Sequence, residues 1–233
     1  GGTYFAGGKF QYLKDVWVID VDTMEWHKPK CVGRAPMPRY GHTGVAVGTR
    51  IYYFGGRGSG GTLFNDVHCL DVERWAWEHV PSTTAPPLGR FGHTCVAVED
   101  KLVVCGGWDG TVAYNDLWVF DIGATAWGRP KVEGAPPSPR HGHSMVLADD
   151  GRIIIFGGYS PRSDGVPTFL SDTRILDTAS LTWTRAPING DPPAPRYQHG
   201  AAILGSTMVI YGGWSLGQAT ITEEENKLPP AEA

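Results

Sequence analysis

One pattern recurs four times in this chain, and its spacing barely changes. The segment PRYGHTGVAV from Pro38 returns as GRFGHTCVAV from Gly89, PRHGHSMVLA from Pro139 and PRYQHGAAIL from Pro195. Diglycines follow at Gly55-Gly56, Gly106-Gly107, Gly157-Gly158 and Gly212-Gly213. An Asp then precedes a short apolar run at Asp66, Asp116 and Asp172, and a Trp closes each unit at Trp77, Trp127 and Trp183. Asp15 and Trp26 supply an earlier half-unit. Asp to Trp is 11 residues and Trp to the next Arg is 13 in all four instances. Arg to diglycine is 16 or 17. Only the step from diglycine to Asp varies in the complete units, at 11, 10 and 15 residues. A chain built this way stacks copies of one supersecondary unit. Its length variation sits in one connection per unit, and such loops tolerate insertion and carry function.

Each unit reads as four short strands. In the second, an alternating run over His93–Val98 turns at Glu99-Asp100 into the almost wholly apolar Leu102–Cys105, the signature of a strand covered on both faces. A third run, Leu117–Phe120, stops at Asp121, and a fourth surrounds Trp127. Pro-rich links such as Glu133–Pro137 are expected to exclude strand. No window of 11 or more residues has a helical period. Composition agrees: 32 Gly and 18 Pro in 233 residues mark a turn-rich chain, and nine Trp set it apart from disordered sequences.

Four-stranded units at about 50 residues describe a propeller blade. The set Pro-Arg-x-Gly-His, apolar strand, Gly-Gly, variable loop, Asn-Asp, strand, Asp, six residues, Trp resembles the kelch repeat superfamily. The likeness is closest to stand-alone kelch proteins of the Rab9-effector and host-cell-factor type. A WD40 assignment fits poorly, because the single Trp-Asp pair, Trp108-Asp109, lies 15 residues after His93. The resemblance implies an all-β, kelch-type β-propeller of four-stranded antiparallel blades over residues 1–214. The units are a half-blade at 1–30, blades at 31–80, 81–131 and 132–187, and a half-blade at 188–214. Residues 215–233, with four Glu and one Lys, read as an acidic tail, a linker or a partner-docked extension. With Gly1-Gly2 as the first diglycine, the steps are 54, 51, 51 and 55 residues. The chain is therefore expected to hold three complete blades and two complementary halves. The halves either close a four-bladed ring or belong to an arc of a larger propeller, the outcome favoured here because kelch rings more often have six or seven blades.

The recurring residues have structural work to do. Diglycines permit unusual φ and close backbone approach, the Trps fill the space between blades, and the Args are expected to satisfy carbonyls between blades. His42, His93, His143 and His199 occupy equivalent positions around an axis. They read as hydrogen-bonding groups, since a metal site needs different ligands converging on one point. No metal or cofactor is expected. Cys31, Cys69, Cys95 and Cys105 lack paired metal-ligand spacing and read as reduced, packed thiols of an intracellular, cytoplasmic protein. Residues 1–214 carry a net charge of −1, with none of the basic excess that nucleic-acid binding uses. No apolar run approaches the length of about 20 residues that crosses a bilayer.

Function is expected where the blades differ. The connection after each diglycine and the link following each repeat Arg are expected on one face. They hold Arg57, Trp108, Asp109, Tyr159, Arg162 and Trp214 in the first set, and Tyr40, Phe91, His141 and Tyr197 in the second. Exposed aromatics with Arg are the composition of an interaction hot spot. In kelch domains that capture peptides the matching positions line the pocket, so the resemblance implies a protein or peptide partner and an adaptor or scaffold role. The plainer reading of Tyr40, Phe91 and Tyr197 is that they narrow the central channel. A propeller held permanently in a cytoskeletal or ciliary assembly is the alternative. A kelch enzyme is disfavoured. Cys95 and Cys105 lie in strand runs, away from any tyrosine–cysteine copper site of the galactose-oxidase kind. The acidic and His cluster that specifier proteins use for iron is absent from the sequence, as is a sialidase Asp box.

Overall fold

Alternating apolar runs bounded by Gly, Asp and Pro become antiparallel strands in every unit. The structure, a computed structural model, describes residues 1–161 and 167–215. The second blade is a four-stranded sheet in sequence order: Thr94–Val98, Lys101–Cys105, Leu117–Asp121 and Ala126–Gly128. Its second strand is buried from Leu102 to Cys105, as continuous apolarity requires. The first blade repeats this order with Thr43–Val47, Arg50–Phe54, Val67–Asp71 and Ala76–Val80. The third uses Ser144–Leu147, Arg152–Pro161, Pro167–Asp177 and Thr182–Arg185. The Asp that ends each third strand builds the turn into the fourth. Oδ1 of Asp71 accepts the Glu73 and Arg74 N–H groups, and Oδ1 of Asp177 accepts those of Ala179 and Ser180.

Four strands per blade is corrected to five in two of them. Val32–Gly33 runs parallel to Ala76–Val80, and Glu133–Gly134 runs parallel to Thr182–Arg185. The link at Glu133 thus forms strand before its prolines end it. Gly33 and Gly134 have φ of 84° and 82°, and a Cβ on either would collide with the carbonyl oxygen of Trp77 or Trp183. Only glycine passes that close. In the second blade a side chain takes over: Thr84 Oγ1 accepts the Trp127 N–H at 2.7 Å and donates to the Trp127 carbonyl at 2.9 Å.

The terminal halves supply complementary strands. Val18–Ile19 pairs with Trp26–His27, and Gly200–Leu204 pairs with Thr207–Tyr211. Each is a separate two-stranded sheet, and no strand pairing joins the two halves among the described residues. The innermost strands, Thr43–Val47, Thr94–Val98, Ser144–Leu147 and Gly200–Leu204, lie side by side.

The core lies between blades. Tyr52, Phe54, Val67 and Cys69 of the first blade pack on Leu102, Val104, Phe120 and Trp127 of the second. Val103, Cys105 and Leu117 meet Ile153, Ile155, Leu176 and Trp183 of the third. Trp127 and Trp183 therefore fill inter-blade space, with Phe54 and Trp127 rings 4.8 Å apart. The four Cys are free thiols, and burial pushes Cys95 and Cys105 up to about 12. No helix among the described residues is long and apolar enough to cross a membrane.

Candidate functional site

The repeat Arg determines where the candidate face begins. Arg90 is 1% exposed, and its Nη1 and Nη2 hold both oxygens of Asp116 at 2.6 and 3.1 Å. Nη1 also donates to the Gly106 carbonyl and Nε to that of Leu88. Arg39 with Asp66 and Arg140 with Asp172 repeat the arrangement. The expected carbonyl bonds are made, but inside one blade rather than between blades, and a bidentate carboxylate is the main partner. The residue two positions after the Asp adds another donor: Trp17, His68, Trp118 and Arg174 bond to Asp15, Asp66, Asp116 and Asp172. Burial works against ionisation of Asp66, yet hydrogen bonds from His68 and Arg39 hold its carboxyl well below the usual range.

Adjacent blades are joined above this anchor. The second glycine of each diglycine donates its N–H to the next repeat Arg carbonyl: Gly56 to Arg90, Gly107 to Arg140 and Gly158 to Arg196. The repeat histidines bond to hydroxyls of the preceding blade, His93 to Thr43 at 3.0 Å, His143 to Thr94 at 2.7 Å and His199 to Ser144 at 2.8 Å. Burial holds His93 down to about 3 and His143 well below its ordinary value, so both stay neutral.

The residue after each Arg then pairs with the residue after the diglycine. Tyr40 bridges Arg57, Phe91 bridges Trp108, His141 bridges Tyr159 and Tyr197 bridges Trp214, each through two backbone hydrogen bonds of 2.9–3.0 Å. Eight of the ten sequence candidates thus stand in four equivalent pairs on one face. Their rings run on from blade to blade. Tyr40 and Phe91 centroids are 5.7 Å apart, Phe91 and His141 6.4 Å, and His141 and Tyr197 6.4 Å. Trp108 stacks on His141 at 5.1 Å and 15°, and the Arg57 guanidinium lies 5.5 Å from the Phe91 ring centre.

Depth along this ribbon differs from expectation. Phe91 and His141 are each 9% exposed, because the bridged neighbours cover them, whereas Trp214 is 42% exposed. Burial lowers His141 to about 4, so it presents a neutral ring. Tyr40, Phe91 and His141 also line a cavity of about 240 Å³ beside the repeat histidines, so the ribbon borders that cavity. Asp109 faces its own loop: Oδ1 accepts the Thr111 and Val112 N–H groups, and Tyr114 donates to Oδ2 at 2.6 Å. It shapes the loop carrying Trp108. Arg162 and the tail from residue 216 onward lie outside the described residues.

Two aromatics extend the ribbon beyond the sequence candidates. Tyr12 lies 6.0 Å from Tyr40, and Phe169 lies within 5.4–5.6 Å of Tyr159, Tyr197 and Trp214. Both sit in the long connections after a diglycine, which fold as hairpins: Thr3–Ala6 with Lys9–Tyr12, and the outer part of Arg152–Pro161 with Pro167–Asp177. Alternation within those connections is the signal that finds them. Beside Tyr12 and Tyr40, a groove of about 860 Å³ contains Lys9 and Arg57, and neither cation has an ion-pair partner among the described residues.

Comparison with known proteins agrees with this architecture. The sequence model of the KLHDC2/KLHL20/DRC7 Kelch-repeats domain matches residues 1–213. Kelch domain-containing protein 3 of Homo sapiens is 38% identical over 187 residues, covering 75% of this chain and 48% of that protein. Acyl-CoA-binding domain-containing protein 5 of Arabidopsis thaliana is 31% identical over 217 residues, covering 87% of this chain and 33% of that one. Host cell factor homolog hcf-1 of Caenorhabditis elegans is 28% identical over 235 residues, covering 90% and 29%. The chain thus spans 29–48% of the length of these three relatives. A family model over nearly the whole chain, on a structure whose blades repeat the same Arg–Asp anchor and diglycine stitch, shows that the chain belongs to the kelch-repeat family.

Proposed function

We propose that this chain is a non-catalytic, protein- or peptide-binding propeller, an adaptor or scaffold that takes its partner on the aromatic ribbon. The observation that carries the reading is the continuity of that ribbon across four consecutive repeats, from Tyr12 and Tyr40 to Trp214. Aromatic rings with a nearby Arg bury large areas at low entropic cost, and they dominate interface energetics. The groove with Lys9 and Arg57 adds positive potential at one end of the same surface. The kelch relatives support an interaction role, and the packed free thiols fit the cytoplasmic setting proposed here.

The test is capture from cells with quantitative mass spectrometry. Arg57→Glu with Trp108→Ala is expected to lose the wild-type partner set while retaining the cooperative unfolding transition. Trp214→Ala is the companion variant, because its exposed ring leaves without opening a buried cavity. Retention of the same partners by both proteins would assign binding to another face.

A further inference from the structure

The residue preceding each repeat His is Gly41, Gly92, Gly142 and then Gln198. All four are left-handed, with φ of 64°, 64°, 61° and 54°. They form a staircase from blade to blade: Gly92 N–H donates to the Gly41 carbonyl at 2.9 Å, Gly142 to Gly92 at 2.7 Å, and Gln198 to Gly142 at 2.7 Å. The scaffold therefore asks only for a backbone conformation that glycine supplies without strain. Gln198 pays a conformational penalty there, and glutamine lacks the local side-chain bonding that lets Asn and Asp tolerate this region. Strain retained at one repeat when its equivalents avoid it points to use of the side chain.

That side chain stands at the 240 Å³ cavity, together with Tyr40, Phe91 and His141. It is exposed, and its carboxamide has no hydrogen-bond partner among the described residues. A second polar exception sits in the same cavity. His141 takes the place of Tyr or Phe in the other repeats, and its buried Nε2 has no partner.

We propose that Gln198 is a specificity-determining residue of this face, whose carboxamide pairs with a main-chain amide of a peptide segment lying over this cavity. The chemistry matches, because a primary carboxamide offers a donor and an acceptor side by side, as a peptide group does. This inference rests on the aromatic face being the binding face. A display library of linear 12-residue peptides is selected on the wild-type protein, and the enriched peptides are titrated by fluorescence polarisation. Gln198→Gly is expected to weaken them at least tenfold while raising Tm by about 2–4 °C, which separates lost recognition from lost folding. Gln198→Glu, which removes the donor, is expected to weaken them too. Loss with Trp108→Ala but full affinity with Gln198→Gly overturns the role of Gln198 alone. Full affinity with both, or no enrichment on the wild type, overturns the face assignment as well.

Discussion

Acid should unfold this propeller through its histidines before its carboxylates matter. His93, His141 and His143 are buried, and burial lowers them to about 3, about 4 and well below the ordinary 6.5. Arg90 and His42 lower His93 further, as Arg140, His93, His141 and His199 do for His143. The folded values are depressed, so below pH 6.5 the unfolded chain binds protons that the folded chain refuses. Stability is then fully present above 6.5 and falls as pH drops toward the folded values. Each pH unit costs about 1.4 kcal/mol per histidine, or about 2 kcal/mol each at pH 5. The three together lose about 6 kcal/mol, comparable with a whole domain's usual 5–15 kcal/mol. Asp66 contributes in the same direction, but only below its ordinary 3.8. Urea unfolding followed by Trp fluorescence from about pH 7.5 to 5 measures the slope. His141→Phe, which copies the residue at Phe91, should make it measurably shallower, by less than a third because His42 and His199 are lowered as well. A flat profile across this window, or a slope that His141→Phe leaves unchanged, would refute the reasoning.

Two further perturbations probe the scaffold. Arg90→Met strands the Asp116 carboxylate in a largely dry site and is expected to cost about 3–5 kcal/mol; adding Asp116→Leu should restore part of that loss, and a single-variant cost under about 1 kcal/mol in thermal unfolding would count against the anchor. Glu99 has φ of 54° at the first-to-second strand turn, where Gly48 and Gly205 serve other units, so Glu99→Gly should stabilise by up to about 1 kcal/mol in urea titration; a destabilised variant would mean that the Glu99 side chain makes a contact worth more than its strain.

The blades were legible because their markers answer demands that few residues satisfy. Diglycines, an Asp that closes a turn and a Trp between sheets leave a period that survives sequence change. The expectation of a shared face came from loop length, whereas the pairing of Tyr40, Phe91, His141 and Tyr197 with the post-diglycine residues came only from the structure. The Arg–Asp anchor was not, because the two partners lie 26–32 residues apart and meet only through sheet register. The parallel edge strands were missed because Pro136-Pro137 dominate the reading of their link, whereas Gly134 settles the backbone two residues earlier. Depth at Phe91 and His141 was hidden for a similar reason. Part of their cover comes from an adjacent pair in the ribbon, which belongs to another repeat.

The division of labour within each repeat explains why this face can vary. The Arg is immobilised by the Asp, by a carbonyl behind it and by the glycine carbonyl across the blade, all independent of its neighbour. The following residue then joins the loop through backbone bonds alone, so its side chain is held in place without being specified. Tyr, Phe, His and Tyr occupy that position in turn with the same 2.9–3.0 Å bridge geometry. The post-diglycine residue enjoys the same freedom, and Arg57, Trp108, Tyr159 and Trp214 use it. The exposed members of these eight positions can therefore change chemistry at little cost to the fold, provided the anchor beneath stays intact, whereas Phe91 and His141 are also held by their packing. Polar exceptions on such a surface, His141 in the ribbon and Gln198 beside it, are then more informative about a ligand than the aromatics that surround them, because packing alone would have chosen otherwise.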